Sequence, residues 1–370
     1  MSQKRPVVVY GASGYTGRIV CEFLRDLQLP FIAAGRDKAR IEAALDKVPG
    51  IETADHEVAV VPHETDALAR LFEGSRVVCN TVGPFELYGE TVVKACLQAG
   101  VHYLDTTGEQ QFVLPIARDY GAAFAKAGLL LAPSAAYMHT TLDIAVCHAL
   151  ENPGIHSIHA VCAATGIPTY GSTQTVVRVA RAEEFFVKAR KLVPWPRGRS
   201  YEVQVPLWPE SQLALPWSGT ALPVWYQDHP QLENLKVLVT FADNRVLMEQ
   251  VVGLVKGFDE QLRDLPREEQ EKALTGIAES IQPGMPPREN RMVHRNLDFV
   301  VGYGPTAHVE VRVHSNCAYQ QTGLIQAFCA AQLVHGRPRA GGFQSPCQAF
   351  GHRGLLGLLR EYGYAELEQV

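Results

Sequence analysis

The chain has 370 residues, enough for two domains with sizeable cores, and it carries 34 Lys and Arg against 39 Asp and Glu. The resulting formal net charge of -5, without any cationic block, argues against nucleic acid or an anionic membrane as the main partner. No apolar run reaches transmembrane length and the polar start leads directly into a strand, so we expect a cytoplasmic protein without a membrane span that acts on a small molecule.

The first predicted elements are a strand, a glycine-rich turn and a helix. The apolar run at 7–10 breaks into G-A-S-G-Y-T-G at 11–17, and apolar residues then recur at helical spacing over 18–24. The first glycine suits a tight turn, the second lets the backbone approach a pyrophosphate, and the third lets the helix pack closely on the strand. The helix N-terminus favours the phosphates. The turn therefore predicts dinucleotide binding by Gly11, Ser13, Gly14, Tyr15, Thr16 and Gly17.

The second predicted strand, at 30–34, ends at Gly35-Arg36-Asp37. An NAD enzyme usually places an acidic residue at this strand end to hold the ribose hydroxyls, whereas an arginine there pairs with a 2′-phosphate. Arg36 therefore predicts NADP, with NADPH preferred over NADH. The alternative is that Arg36 is only a solvated residue before the next helix.

Strand and helix patterns continue to alternate, which predicts a parallel sheet. The strand at 76–82 stops at Gly83-Pro84-Phe85, and ligands lie beyond the C-terminal strand ends of such a sheet, so we expect this loop to pass the nicotinamide half of the cofactor. Strands at 102–105 and 129–132 complete the unit near residue 135. The cofactor contacts predicted in this part are Asn80, Thr81, Gly83 and Pro84.

Five segments resemble one known family. They are GASGYTGR at 11–18, AGRD at 34–37, NTVGPFELYGETVVKAC at 80–96, GVHYLDTTGE at 100–109 and the closing AGGFQSP at 340–346. These segments resemble the saccharopine dehydrogenase-like oxidoreductases, including the trans-acting enoyl reductase branch. The resemblance is strong over residues 5–110, recurs near the end and is poor in the middle.

The resemblance implies an α/β protein with an N-terminal Rossmann dinucleotide-binding domain and a second α+β domain with a mainly antiparallel sheet. It also implies hydride chemistry on an activated C=C or C=N bond. The residues that it implies for the interdomain cleft are Gly83, Pro84, Tyr88, Gly89, Asp105 and Glu109. We assign Phe85, Thr107 and Asp143 to the same substrate cleft.

One segment departs from the family pattern in a way that bears on mechanism. Where such proteins commonly carry Gly-Phe-Asp-Ser-Ile-Pro-Ser-Asp, this chain reads A-Y-M-H-T-T-L-D at 136–143. Tyr137 and His139 can each donate a proton, and they follow the last parallel strand, so we expect them to project toward the nicotinamide. We predict both as catalytic, with Tyr88 as the reserve donor. The alternative is that His139 and Asp143 only cap and decorate a helix start.

The second domain is predicted over 136–325, as the substrate and dimerisation domain, and 326–370 is expected to pack back on the Rossmann domain at 1–135. The patterns of this second domain predict a helix over 174–191 and strands over 154–164, 236–241, 296–301 and 308–314. The segment 194–230 holds all four tryptophans and many prolines. We interpret it mainly as a structural wrap, and an apolar lid over the substrate is the alternative.

The sequence leaves two classes of function, an NADPH-dependent reductase and a non-catalytic NAD(P)-binding sensor or assembly protein. Reduction of a C=C bond needs a stabilised enolate oxygen, whereas reduction of a C=N bond needs an acid that keeps the imine protonated. Few acidic residues lie near Tyr137 and aromatic residues are abundant, which favours a small, largely apolar enone or enoyl substrate. An imine reductase or a saccharopine dehydrogenase-like amino-acid oxidoreductase is the alternative.

Cysteine and histidine patterns complete the expectations. The eight cysteines form no C-x-x-C pair and are typical of reduced core thiols, and the thirteen histidines show no recognised metal-ligand spacing, so we expect no metal. An antiparallel sheet with one exposed face often pairs with another subunit, which predicts a homodimer through the second domain.

Overall fold

The computed structural model describes residues 5–166, 168–216, 221–242, 244–281 and 284–370. The chain forms two compact units. The first comprises Met1–Thr107, Phe112–Thr140 and Tyr319–Leu355, and the second comprises Gly108–Gln111, Thr141–Ala318 and Leu356–Val370. The first unit thus continues to Thr140, beyond the boundary expected at residue 135. The expected return of 326–370 to the first unit ends at Leu355.

The elements of the first half are β1 (Val7–Tyr10), α1 (Tyr15–Asp26), β2 (Phe31–Gly35), α2 (Lys38–Leu45), a 3-10 helix (Ile51–Thr53), β3 (His56–Val60), α3 (Thr65–Phe72), β4 (Val77–Asn80), α4 (Phe85–Ala99), β5 (His102–Asp105), α5 (Gln110–Lys126), β6 (Leu130–Ala132) and α6 (Tyr137–Ala149). Those of the second half are β7 (Ser157–Ala164), α7 (Tyr170–Arg178), β8 (Phe185–Lys188), β9 (Lys191–Pro194), β10 (Tyr201–Val203), β11 (Gln212–Ala214), α8 (Leu222–Tyr226), β12 (Asn234–Phe241), α9 (Arg245–Gln261), α10 (Arg267–Ile281), β13 (Arg295–Tyr303), β14 (His308–Asn316), α11 (Ala318–His335), β15 (Gly342–Phe343), α12 (Pro346–Phe350), α13 (His352–Glu361) and β16 (Ala365–Gln369).

The first unit contains a parallel seven-stranded sheet in the order β15-β6-β5-β4-β1-β2-β3. Strand β1 lies between β2 and β4, so that Tyr10 is in register with Ala34 on one side and Asn80 on the other. All four residues of β1 are buried, as expected for a strand covered on both faces by helices. The strand order reverses beside β1, which is the position where such sheets bind ligands. The predicted Rossmann fold is confirmed.

The second unit contains a mixed seven-stranded sheet in the order β16-β14-β13-β7-β12-β8-β9. Strands β7 and β12 are parallel, and the other described pairs of this sheet are antiparallel. The mainly antiparallel second domain is therefore confirmed. The C-terminal strand β16 pairs with β14, Val311 opposite Gln369, which explains why the end of the chain belongs to this unit.

The helix predicted over 174–191 is wrong in its second half. Helix α7 ends at Arg178, and β8 begins at Phe185 and pairs with β9 and β12. The guanidinium group of Arg197 donates hydrogen bonds to the carbonyl oxygens of Ala180 and Ala182, beyond the last turn of α7. The guanidinium group satisfies carbonyl groups that would otherwise accept hydrogen bonds from the N–H groups of a further helical turn.

Part of the Trp- and Pro-rich segment lies on one face of the second sheet. Val205 is buried in the same apolar cluster as Val161 and Phe299, and Val203 and Trp208 pack against this cluster. This arrangement agrees with a structural wrap for this part of the segment, whereas Trp217 lies outside the described residues.

Two further observations concern the whole described chain. None of its helices combines the length and the apolar character that crossing a membrane requires. The eight cysteines are free thiols, and all but the half-buried Cys147 are buried.

Candidate active site and cofactor site

The glycine turn between β1 and α1 has little room for side chains. Gly11 has a φ of +97°, and a Cβ on this residue would lie 2.6 Å from Thr81 Oγ1. A Cβ on Gly17 would overlap the carbonyl oxygen of Gly11. Gly14 is the N-cap of α1 and offers no side chain to the first N–H groups of the helix. The open backbone and the uncapped N–H groups fit the pyrophosphate of a dinucleotide.

The residues behind the turn bind the backbone rather than face outward. Thr81 Oγ1 donates to the carbonyl oxygen of Tyr10 at 3.1 Å. Asn80 Nδ2 donates to Tyr103 Oη at 3.2 Å, and Asn80 Oδ1 accepts from the N–H group of Val82 at 3.0 Å. Asn80 and Thr81 therefore fix the shape of the turn and of the loop after β4.

The other residues predicted for the cofactor occupy different depths. Tyr15 is buried and packs edge-on against Tyr319, with the ring centroids 5.3 Å apart. Pro84 is buried as the N-cap of α4. Ser13, Thr16 and Gly83 are partly exposed, which leaves them accessible to a ligand.

An arginine, a histidine and two tyrosines lie together at the ends of β1, β2 and β3. Arg36 directly follows β2 and is exposed, and within the described chain its guanidinium group makes no ion pair. Tyr10 Oη and His63 Nδ1 form a hydrogen bond of 2.9 Å, and the ring of Tyr88 meets the ring of His63 edge-on at 5.3 Å. The exposed cation fits the 2′-phosphate of NADP. The contact with His63 places Tyr88 beside the loop after β3, on the β2 side of β1.

Asp105, at the end of β5, is a buried bracing residue. Its carboxylate accepts hydrogen bonds from Tyr103 Oη at 2.7 Å and from the N–H groups of Thr107 at 2.9 Å and Ser134 at 2.7 Å. Burial, and secondly the charge of Asp105, raises the pKa of Tyr103 well above its usual value. The carboxylate therefore connects the loops after β5 and β6 and has most of its hydrogen-bonding capacity in use.

Three other residues assigned to the substrate cleft are also buried. Phe85 packs against Phe112 with the ring centroids 6.0 Å apart. A Cβ on Gly89 would overlap the Phe112 ring, so this glycine permits the packing. Thr107 is 1% exposed. These residues therefore contribute to the packing around the loops after β4 and β5.

Tyr137 and His139 lie in the first turn of α6, shortly after β6. Both are 3% exposed, and the N–H group of Tyr137 donates to Thr322 Oγ1 at 3.0 Å. Burial lowers the pKa of His139 from 6.5 to about 3, so its imidazole is neutral at pH 7. Its Nδ1 has no hydrogen-bond partner among the described residues. This pair offers a phenol and a neutral imidazole at the C-terminal edge of the parallel sheet.

Asp143, further along α6, belongs to a buried polar group of the second unit. Its Oδ1 accepts a hydrogen bond from Tyr226 Oη at 2.7 Å, and Cys147 Sγ lies 3.1 Å from the same hydroxyl. Close by in the chain, Thr141 Oγ1 donates to Asp298 at 2.5 Å. A buried carboxylate with these contacts holds α6 on α8, which is a structural use of Asp143.

Glu109 and Glu184 form the second buried acidic group of this unit. Thr175 Oγ1 donates to Glu109 Oε1 at 2.9 Å, and Glu109 is fully buried. Gln110, which follows Glu109, accepts a hydrogen bond at 2.8 Å from the N–H group of Phe185, which follows Glu184. This bond connects the two segments that carry the acids. Both carboxyl oxygens of Glu184 lack a partner among the described residues. Burial raises the pKa of Glu184 well above its usual value, and Glu109 raises it further while Arg197 acts in the opposite direction.

Sequence reasoning missed His63, Glu184 and Tyr226. No local motif marks any of the three. His63 follows a strand by three residues, which was an available signal, because ligands collect at the C-terminal ends of parallel strands. The signal for Glu184 and Tyr226 is their burial, which depends on the packing of the second unit.

Comparisons with known proteins agree with this division of the chain. Residues 7–131 match the saccharopine dehydrogenase NADP binding domain. Residues 140–369 match a family described as a family of unknown function, DUF5938. The first match confirms NADP as the cofactor, in agreement with the turn and with Arg36.

Individual relatives match the N-terminal part. The saccharopine dehydrogenase-like oxidoreductase of Homo sapiens is 32% identical over 164 residues, which cover 39% of this chain and 38% of the relative. The trans-acting enoyl reductase of Mycobacterium ulcerans is 33% identical over 108 residues, covering 29% of this chain and 26% of the relative. The chain thus spans less than two fifths of the length of these two relatives.

A solved structure extends the likeness to both units. The apo saccharopine dehydrogenase (L-Glu forming) from Saccharomyces cerevisiae superposes with a TM-score of 0.59, covering 99% of this chain and 100% of that chain at 11% identity. At this identity the match shows the fold. The resemblance noted in the sequence is confirmed. The chain belongs to the DUF5938 family, and its N-terminal part, residues 7–131, matches the saccharopine dehydrogenase NADP binding domain.

Proposed function

We propose that the protein reduces an activated C=C bond, of the enone or enoyl type, in a small and largely apolar substrate. The observation that carries this proposal is the pair of buried donors in the first turn of α6, Tyr137 and the neutral His139. The C-terminal edge of a parallel sheet is where the nicotinamide end of the cofactor belongs. The substrate would therefore meet two neutral hydrogen-bond donors in apolar surroundings.

Bound NADPH would supply the hydride. Addition of a hydride to an enone leaves negative charge on the carbonyl oxygen, and neutral donors in a dry site stabilise that charge. His139 can serve by donating an N–H hydrogen bond, since a pKa of about 3 prevents it from carrying an extra proton at pH 7. The phenol of Tyr137 is the group of the pair with a proton to transfer.

The position of Tyr88 supports a different role from the reserve donor expected from the sequence. Its ring contacts His63, which follows β3, and β3 is an edge strand on the β2 side of β1. That side of a Rossmann sheet carries the adenosine half of the cofactor. We therefore propose that Tyr88 contributes to cofactor binding and leaves proton transfer to Tyr137.

Reduction of a C=N bond, as in an imine or amino-acid oxidoreductase, is the second candidate. The buried acids Glu109 and Glu184 favour it, because a carboxylate pair attracts a protonated nitrogen. A cationic imine would satisfy the carboxyl oxygens of Glu184, which have no partner among the described residues. The two candidates thus depend on different groups of residues.

The test is a substrate panel with NADPH consumption as the signal. It contains a cyclic enone, an aliphatic enal, an enoyl thioester, a cyclic imine and an imine formed from an amino acid and a keto acid. We expect turnover on the C=C compounds and little on the imines. The reverse order supports C=N reduction. If NADPH binds and no compound is reduced, the non-catalytic sensor becomes the better account.

We also propose that the second unit pairs two copies of the chain. The exposed side chains of its sheet include His159, Lys236 and Tyr303, and Tyr303 Oη lies 3.2 Å from His159 Nε2. This exposed polar face is the surface that we propose for a self-complementary contact. Light scattering should give twice the chain mass, and a monomer at high concentration contradicts the pairing.

The proposed compartment is the cytoplasm, and the proposed partner is a small molecule rather than nucleic acid. Cell fractionation of the native protein tests the first proposal. Recovery in a membrane or organelle fraction contradicts it.

A further inference from the structure

The end of β1 and the loop after β3 are connected by one side-chain hydrogen bond that the cofactor fold does not require. Tyr10, the last residue of β1, places its hydroxyl 2.9 Å from His63 Nδ1. The two rings are nearly parallel, with an interplanar angle of 10°. His63 Nε2 is buried and has no hydrogen-bond partner among the described residues. The pair is therefore held in a fixed arrangement.

One described cation acts on this pair. Arg36 follows β2, the strand between β1 and β3, and its positive charge lowers the pKa of both Tyr10 and His63. Tyr88 of α4 covers the edge of the His63 ring. The groups that face His63 are thus Tyr10 from β1, Arg36 after β2 and Tyr88 from α4. Arg36 is exposed and is the residue expected to hold the 2′-phosphate.

The hydrogen bond between Tyr10 and His63 changes direction with the charge of the imidazole. When His63 is neutral, the Tyr10 hydroxyl can donate its proton to Nδ1. When His63 is an imidazolium, both ring nitrogens carry protons and Nδ1 must donate to Tyr10 Oη. The Tyr10 proton must then turn to another acceptor. An oxygen of a phosphate held by Arg36 is an acceptor of the required kind.

We propose that Tyr10 and His63 form a proton-linked reader of the 2′-phosphate, in which the bound phosphate favours the imidazolium and receives the hydrogen bond of the Tyr10 hydroxyl. One proton from solvent is taken up by His63, and no covalent bond forms or breaks between heavy atoms. The pair would add selectivity for NADP over NAD beyond the contribution of Arg36. This inference rests on the NADP-binding domain and is independent of the reaction.

The electrostatics agree with the proposal. In the protein without cofactor, burial and secondly the charge of Arg36 lower the pKa of His63 below 6.5. Burial raises the pKa of Tyr10 to about 12, so that its hydroxyl keeps its proton. A 2′-phosphate brings a charge of about −1.5 to −2, which offsets the charge of Arg36 and raises the pKa of His63 again.

The test is calorimetric titration of the full chain with NADP⁺ and NAD⁺ near pH 6.5, each in two buffers of different ionisation enthalpy. The difference between buffers gives the number of protons taken up. The variants are Tyr10→Phe, which keeps the ring, and His63→Gln, and the matched control is His56→Gln in β3. The phosphate exchanges protons in all four proteins, and the comparison reports how much of the uptake depends on the Tyr10–His63 pair.

We expect the wild-type protein and His56→Gln to take up a larger fraction of a proton with NADP⁺ than either reader variant does. With NAD⁺ the four proteins should agree. Equal uptake with NADP⁺ in the wild type and both variants overturns the proposal, as does an equal difference with NAD⁺. If a variant does not fold, NMR titration of His63 in the wild type decides the question. Its pKa must rise with NADP⁺ and not with NAD⁺.

Discussion

His139 of the first unit and Glu184 of the second are both buried, and burial acts on them in opposite directions. The pKa of the imidazole falls from 6.5 to about 3, while the pKa of the carboxyl group rises well above its usual value. Burial thus disfavours the charged form of each group, the imidazolium of His139 and the carboxylate of Glu184. The difference bears on the two candidate reactions that we propose: a neutral imidazole suits an oxygen that becomes negative, and a buried carboxyl group suits a positive nitrogen.

The largest expected effect is a loss of turnover when Tyr137 or His139 is replaced. Tyr137→Phe or His139→Ala should lower turnover on the best C=C substrate by about 10²-fold or more, because an acid–base or oxyanion contribution is removed. NADPH affinity should stay near that of the wild type. Steady-state kinetics and a fluorescence titration measure the two quantities. His148→Ala, in the last turn of the same helix, is the matched control and should keep full turnover. Full turnover in both test variants rules out this site.

The next largest effect concerns Arg36, whose exposed charge contrasts with the two buried groups. Arg36→Ala should weaken NADPH binding by about 10- to 100-fold, which corresponds to the loss of a charge-assisted contact of about 1.5–3 kcal/mol, and should leave NADH binding unchanged. Lys47→Ala, an exposed cation beyond α2, is the control. Equal affinities for NADPH and NADH in the wild type would contradict the role of Arg36.

A smaller effect concerns the stability of the protein at acid pH and tests the lowered pKa of His139. Between pH 6.5 and about 3 the unfolded chain protonates His139 and the folded chain does not, so stability falls as the pH falls. Each pH unit in this window costs about 1.4 kcal/mol. In His139→Gln this loss is absent, and its melting temperature should fall less than that of the wild type between neutral pH and about pH 4.5. Parallel curves for the two proteins would show that His139 is not held neutral.

The smallest effect concerns the stability contribution of Glu184 between acid and neutral pH. The folded chain keeps the Glu184 proton at pH values where the unfolded chain has lost it, so this residue lowers stability as the pH rises above 4.5. Glu184→Gln should therefore lose less stability than the wild type between acid and neutral pH. The exposed neighbour offers the control Glu183→Gln, which should follow the wild type. A steeper loss in Glu184→Gln contradicts a protonated Glu184.

The two units also differ in how far the sequence predicts them. The glycine turn and Arg36 could be predicted because a tight turn and a phosphate contact need particular residues at fixed positions. The end of α7 could not be predicted, because Arg197 binds the carbonyl groups of Ala180 and Ala182 from outside the predicted helix. In addition, the aromatic residue Phe186 pairs into a sheet that is assembled from distant segments. Tertiary contacts there override local helical periodicity.

The candidate site also contains residues that the sequence predicts and residues that it does not. Tyr137 and His139 are placed by chain order, since they follow β6 directly. Their burial and the neutral state of His139 depend on packing that periodicity does not reveal. Glu184 and His63 carry no motif at all, and only the folded chain places them beside Glu109 and Arg36.

The most direct measurement of the central claim is transfer of deuteride from NADPH labelled at the reactive carbon of the nicotinamide ring. After incubation with a cyclic enone and a cyclic imine in one vessel, mass spectrometry and NMR locate the label. We predict one deuterium on the β-carbon of the enone and none on the imine. Deuterium on the imine carbon alone, or on neither compound with NADPH bound, would contradict the account.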